Sequence, residues 1–296
     1  MRLGRFIALG SLIVVVAAVA VLVLNASPRS GSHSSTVSAH RSTGTTSASR
    51  TQPGTATVPI LMYHVINVPP PGSTGSTSLY VPADQFSSEM EALKAAGWHA
   101  VTLDQLEAYW TRGVSLGSGK PIVITFDNGY ASQYTNALPV LKRLGWVGVE
   151  NVQVNGLSSS DGGLTEPQIR GLIAAGWELG TQGLSGADLV SLDANHLQAE
   201  VATSRQLLRS RYGVPVSWFS YPLGDYDPTV SAAVRAAGYI GATTIVPGWA
   251  SPQQDRFRLP RLQVLGGTTP TQLLSQIAAA TATTSAPPAA SGSGIT

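Results

Sequence analysis

The stretch Pro121-Ile122-Val123-Ile124-Thr125-Phe126-Asp127-Asn128-Gly129-Tyr130 decides the fold. Its first half is almost entirely apolar and does not alternate, as expected of a strand buried on both faces, and such strands belong to parallel sheets covered by helices. Asp127 leaves this strand just as the chain turns at Gly129, so a carboxylate stands at the C-terminal end of a central strand. In closed α/β folds that end carries the site. Asp127 is therefore a candidate general base or metal ligand, unless it caps a helix starting near Ala131.

Outward from this strand one punctuation recurs. It reads LKAAGWHAV at 93–101, LKRLGWVGV at 141–149, LIAAGWELG at 172–180 and VRAAGYIGA at 234–242. Each copy closes an amphipathic stretch with Gly97, Gly145, Gly176 or Gly238, followed by an aromatic and a short apolar run. Glycine takes the left-handed conformation of a helix end without a Cβ clash. The pattern predicts helix, turn, strand, four times over. Thr102 and Asp193 are predicted N-caps. Strands are predicted over Val58–Tyr63, Pro121–Phe126, Val147–Val152, Trp218–Tyr221, Ile240–Thr243 and Arg258–Val264. Helices alternating with such strands predict an α/β fold with a largely parallel sheet closed into a barrel.

The flanks differ from this core. Phe6 to Leu24 is an uncharged run of 19 residues after Arg2 and Arg5. It is long enough to cross a bilayer, longer than a signal-peptide core, and lacks a clear A-x-A site. The expectation is a membrane anchor at 1–26 with the rest of the chain outside the cell membrane; a cleaved signal and a secreted protein is the alternative. Ser27 to Thr57 contains 16 Ser or Thr among 31 residues, a predicted disordered linker. Residues 281–296 form a similar tail, leaving 58–280 as the folded domain. The formal charge of +2 does not imply nucleic acid: all five basic residues before position 58 lie in the flanks, and the remainder carries 13 basic and 16 acidic residues. No cysteine is present, which excludes disulfides and zinc–thiolate sites.

Other strand ends add His64 after the first strand, Glu178 within Trp177-Glu178-Leu179-Gly180-Thr181-Gln182, and the loop Ser220-Tyr221-Pro222-Leu223-Gly224-Asp225-Tyr226-Asp227. Glu178 has an apolar setting and reads as a core carboxylate. Asp225 and Asp227 either line a cleft or cap the next helix. The domain holds only His64, His99 and His196, with no H-x-H or H-x-x-x-H spacing, so the residues alone assemble no metal cluster.

The chain resembles the polysaccharide deacetylase family, the NodB-homology domain. Pro59-Ile60-Leu61-Met62-Tyr63-His64 is similar to its V-P-[IV]-L-x-Y-H opening, and Thr125-Phe126-Asp127-Asn128-Gly129-Tyr130 to its T-F-D-D-G-Y signature. Trp177–Gln182 is similar to G-[WH]-E-[IL]-G-S-H, Ser220–Gly224 to R-x-P-x-G, and Leu259-Pro260-Arg261 to L-x-R. The resemblance spans about 58–275 and implies an irregular (β/α) barrel. It also implies metal-assisted hydrolysis of N-acetyl groups on cell-wall or matrix glycans, with zinc or another divalent metal as cofactor and Asp127 at the base position.

The remaining family positions depart from that pattern. The metal positions hold Asn128, Gln182 and Gly186, the base-orienting arginine is Ser220, and no histidine follows His196 to act as acid. Asn and Gln are poor zinc ligands beside Asp and imidazole. The expectation is a catalytically inactive deacetylase-like domain with no cofactor. It would bind cell-wall glycan or a wall-synthesis protein, with the membrane as a further partner through residues 6–24. The alternative is an active hydrolase with displaced ligands such as His64, Asp225 or Asp227. A glycoside hydrolase pairing Asp127 with Glu178 or Asp225 is a third reading. His64, Tyr130, Asp225, Tyr226 and Trp249 are the candidate cleft residues.

Overall fold

The computed structural model describes residues 52–73, 77–157 and 162–284. The elements run β1 (Val58–Tyr63), α1 (Ala83–Ala95), β2 (Trp98–Val101), α2 (Leu103–Arg112), β3 (Lys120–Asn128), α3 (Leu138–Leu144), β4 (Val149–Val152), α4 (Glu166–Ala174) and β5 (Glu178–Thr181). They continue with α5 (Ala194–Gln198), α6 (Ser204–Tyr212), β6 (Trp218–Ser220), α7 (Pro228–Ala236), β7 (Gly241–Thr243), β8 (Trp249–Ala250), β9 (Leu262–Gln263) and α8 (Pro270–Thr284).

The sheet order is β7-β6-β5-β4-β3-β1-β8, with β2 beside β3 and β9 beside β1; the pairs are parallel except β1 with β8. Each punctuating glycine ends its helix in the left-handed region, with φ of 84° at Gly97, 71° at Gly145, 86° at Gly176 and 84° at Gly238. The aromatic that follows is buried in three of them, at Trp146, Trp177 and Tyr239. Thr102 and Asp193 cap as expected, Thr102 in a reciprocal box with Gln105.

The expected fold class needs correction in two respects. The sheet is an irregular, curled parallel sheet, a half-barrel rather than the closed irregular (β/α) barrel expected. Among the described residues, a bridge from Thr243 to Leu259 and the two residues of β9 are what complete it between β7 and β1. Of the expected strand Arg258–Val264, only Leu262–Gln263 forms. Pro260 lacks an N–H and interrupts the ladder. Second, among the described residues no helix is long and apolar enough to cross a membrane. The segment 6–24 lies outside the described residues. No described helix thus supports the expected anchor at 1–26, the membrane as partner or the cell-membrane location. Ordered contacts begin inside the expected linker: Gly54 N donates to Tyr109 O at 2.8 Å and Trp110 Nε1 to Ala56 O at 2.9 Å.

The curl separates three apolar clusters. Its interior holds Val58, Ile60, Val123, Val149, Trp218 and Leu259. The other two lie under the helices, around Phe126 with Tyr63, Phe86 and Trp177, and around Phe219 with Leu208 and Val234. Alternation along each strand therefore sends every second side chain into the curl. Phe126 faces the helices, and Asp127 faces inward.

Candidate functional site

Strand register assembles a polar layer at the C-terminal end of the curl. Tyr63 pairs with Phe126, which sets His64 beside Asp127. Asp127 pairs with Asn151, and Asn151 with Gly180, so Gln182 is the next inward residue of that strand. Thr181 opposite Phe219 brings Gln182 beside Ser220, and Ser220 pairs with Thr243. The bridge from Thr243 to Leu259 places Arg261 next, one inward step further. His64, Asp127, Asn151, Gln182, Ser220, Thr243 and Arg261 thus form one layer, each from a successive strand or segment.

Arg261 is the centre of this layer. It is buried, and each of its five N–H groups has an acceptor. Nε donates to Thr244 O at 2.8 Å, and Nη1 donates to Thr125 Oγ1 at 3.1 Å and Asp127 Oδ1 at 2.8 Å. Nη2 donates to Asp127 Oδ2 at 2.8 Å and Ser220 Oγ at 3.0 Å. Asp127 also accepts from Asn151 Nδ2 at 2.9 Å, Ser220 Oγ at 3.3 Å and Gln182 Nε2 at 3.4 Å. Burial alone would raise the Asp127 pKa. The Arg261 charge and hydrogen bonds, with smaller contributions from His64 and Asn151, more than offset it and hold the carboxyl below its ordinary value. Asp127 is a fully ionised, fully paired carboxylate and caps no helix.

Four polar atoms around the pair have no protein partner: His64 Nδ1, Gln182 Oε1, Thr243 Oγ1 and Gln133 Oε1, all buried. Gln133 holds the rim by donating Nε2 to His64 O and Asp127 O, both at 2.8 Å. Burial lowers the His64 pKa, Asp127 pulls it up and Arg261 pushes it down; the net lowering leaves a neutral imidazole. With Asp127 cancelled by Arg261, the layer carries no net charge.

The metal implied by the resemblance does not fit these residues. Among the described residues no group of three or more His, Asp or Glu side chains converges on a common point. Gln182 spends its amide N–H on Asp127. Gly186 has φ 73°, and a Cβ there would run into the Gln153 side-chain amide, so no imidazole is presented from that position. Asn128 stands in the left-handed region with φ 76° beside Gly129 at φ 90°, a turn that Asn tolerates better than most residues. The Arg261 guanidinium adds a positive charge where a dication would need negative ligands.

The arginine that the resemblance implies at the position of Ser220 is absent, and another arginine contacts Asp127. Ser220 leaves room, and Arg261 reaches in from the last segment to hold Asp127. Sequence reasoning quoted Arg261 only as part of a motif and missed Asn151 and Thr243. The signal for Arg261 was an arginine amid apolar residues directly before a strand.

Other candidates lie apart from the layer. Glu178 starts β5 at the opposite end of the strands, where its Oε2 accepts from Asp104 N at 2.8 Å. Burial, with the nearby Asp104 charge, pushes its pKa to about 8. Asp225 is exposed, and Asp227 caps α7 by accepting from Val230 N at 2.7 Å. No carboxylate pair with Asp127 results from Glu178 or Asp225. Tyr226 stacks on Tyr221 with centroids 4.8 Å apart, on the loop following β6. Tyr130 lies on the turn after β3, bridged to Gly163. Trp249 pairs with Pro59 at the start of β1 and packs against Trp98, far along the strands from the layer. His196 is exposed and pairs with Asp193, and His99 bonds Leu116 O through Nε2.

A family model described as polysaccharide deacetylase matches residues 116–242. YxkH of Bacillus subtilis strain 168, whose name places it among polysaccharide deacetylases, is 31% identical over 215 residues, covering 72% of this chain and 73% of that protein. The crystal structure of BC0361, a polysaccharide deacetylase from Bacillus cereus, is similar at 25% identity and a TM-score of 0.66, over 75% of this chain and 69% of that one. The Streptococcus pyogenes deacetylase PplD, solved in complex with acetate, shares the fold at 24% identity and a TM-score of 0.69, over 75% and 99% of the two chains.

Proposed function

Because the chain belongs to the polysaccharide deacetylase family, we propose that its polar layer recognises an N-acetylated polysaccharide of a cell wall or matrix, without the family's metal-assisted hydrolysis. One observation carries this reading: unpartnered polar atoms of His64, Gln182 and Thr243 surround a charge-cancelled Asp127–Arg261 pair. Buried polar atoms without partners are costly unless something supplies the missing hydrogen bonds. An uncharged group with both a donor and an acceptor, such as an acetamido group, suits a layer of zero net charge. A metal ion does not.

A second reading is hydrolysis of N-acetyl groups on such a polysaccharide through ligands other than the family's. The comparisons favour it, since the relatives are named as deacetylases, and Asp127 itself favours it, because Arg261 keeps that side chain ionised as a base must be. The lack of a converging ligand set among the described residues weighs against it.

One experiment separates the two. The full chain is mixed with chitin oligomers and with peptidoglycan, with and without added zinc, and both retention on the polymer and release of acetate are measured. Retention without acetate release supports the first reading. Zinc-dependent acetate release that disappears in Asp127→Asn establishes the second.

A further inference from the structure

At the opposite end of the strands a groove of about 760 Å³ runs between α6, the segment leading into β6, and the end of α7. Arg205, Gln206, Arg209 and Ser210 line it from the helix, and Val214 and Pro215 from the segment. No acidic side chain lines it. Neither arginine forms an ion pair with a carboxylate among the described residues.

The two guanidiniums differ in freedom. Arg205 is half-buried and fixed: Nε donates to Val216 O at 2.8 Å and Nη1 to Ala237 O at 3.2 Å, while the ring of Tyr239 lies 5.3 Å away. Among the described residues its Nη2 donates to no acceptor. Arg209 stands one helical turn further on the same face and is exposed. Burial and the Arg209 charge both lower the Arg205 pKa. Two like charges share one groove with no counter-charge, one of them pre-oriented. Arg209 lies in the last turn of α6, whose partial negative charge offsets it only weakly.

We propose that this groove binds a phosphate-bearing anion. Guanidinium forks match phosphate oxygens, and a phosphate group offers enough acceptors for several donors at once, whereas a carboxylate offers only two oxygens. A phosphodiester polymer and free phosphate present the same chemistry to the groove. The inference is independent of the reading of the polar layer.

The test uses the full chain at about physiological ionic strength. Binding of inorganic phosphate alone and of long-chain polyphosphate is measured by calorimetry, for the wild type, Arg209→Gln and Arg205→Gln. Polyphosphate is expected to bind, with affinity at least about tenfold weaker in R209Q, a loss of about 1.4 kcal/mol. Inorganic phosphate competing at millimolar concentration identifies the single group as the ligand, and binding of the polymer alone identifies the chain. Arg209 is exposed and its side chain makes no fixed contact among the described residues, so R209Q keeps the melting temperature of the wild type; this holds the test valid if R205Q unfolds. Absence of binding to both probes, or R209Q binding as the wild type does, overturns the proposal. So does a loss in Asp127→Asn equal to that in R209Q, which would place the anion at the polar layer.

Discussion

Arg261 and Asp127 meet in a fork, Nη1 to Oδ1 and Nη2 to Oδ2, both 2.8 Å long and both sealed from solvent. Such a pair is costly to desolvate, and more costly to break. Arg261→Met leaves Asp127 buried with only neutral donors, and the expected loss is about 3–5 kcal/mol in urea denaturation. The double variant Arg261→Met with Asp127→Asn removes both charges and is expected to lose clearly less. The pH dependence follows from the depressed Asp127 pKa. Its stabilisation is present above the ordinary carboxylate value of 3.8 and disappears as pH falls through the lower folded value. Equal losses in the single and double variants would show that the pair is not the stabilising unit.

Zinc is expected not to bind tightly. Calorimetry on the full chain should show no one-to-one site. Restoring a histidine at Gly186 should not create one, because φ is 73° there and the Gln153 amide occupies the Cβ direction. Gly186→His is instead expected to lose about 1–3 kcal/mol through backbone strain. Stoichiometric zinc binding that disappears in Asp127→Ala would sink this reading and turn attention to the second function.

Much of this arrangement was legible, for identifiable reasons. Gly97, Gly145, Gly176 and Gly238 could be read as helix ends because only glycine enters the left-handed region freely. The apolar run before Asp127 could be read as a central strand because nothing in it needs water. The polar layer could not be read, because it depends on register. His64, Asn151 and Thr243 are far apart in sequence, and only the pairings of β1, β4 and β7 bring them to one level. Glu178 reads in sequence as a core carboxylate at the C-terminal end of a strand. The structure puts it at the start of its strand, four residues before Gln182 and at the other end of the curl. Arg261 was hidden for a different reason: a motif match assigns a role to a position, while the geometry assigns it to whichever guanidinium reaches the carboxylate.

Three buried carboxyls make stability fall with rising pH above the acid range: Glu89, Glu178 and Glu150, the last pushed well up by burial and the nearby Asp127 charge. Burial raises the Glu89 pKa to about 7, with hydrogen bonds from Gln85 and Tyr63 pulling back only partly. Glu178 is raised to about 8. The folded chain keeps protons there that the unfolded chain releases near 4.5. Stability is therefore full below that value and declines as pH rises through about 7 and 8. Taken with Asp127, the melting temperature is expected to peak near pH 5 and to be lower at pH 8. Glu178→Gln and Glu89→Gln should each flatten the alkaline side. A melting temperature that rises from pH 5 to 8 in the wild type contradicts the assignment.

Thr243 separates a structural from a ligand-directed role for the polar layer. Its hydroxyl is buried at 1% exposure and its Oγ1 has no protein partner. Thr243→Val replaces that hydroxyl with a methyl of similar size and leaves no protein donor or acceptor unpaired. Removing an unsatisfied buried hydroxyl is expected to leave stability unchanged or raise it by about 1 kcal/mol. If the hydroxyl serves a bound glycan, affinity for chitin oligomers falls at the same time, by about tenfold for one lost hydrogen bond of about 1.4 kcal/mol. Gln182→Leu should repeat the loss of affinity, with a small cost in stability because its Nε2 contact to Asp127 at 3.4 Å is long. If fixed internal water completes the layer instead, Thr243→Val lowers stability and leaves glycan affinity untouched. The two measurements move in opposite directions under the two explanations, so a single pair of variants decides between them.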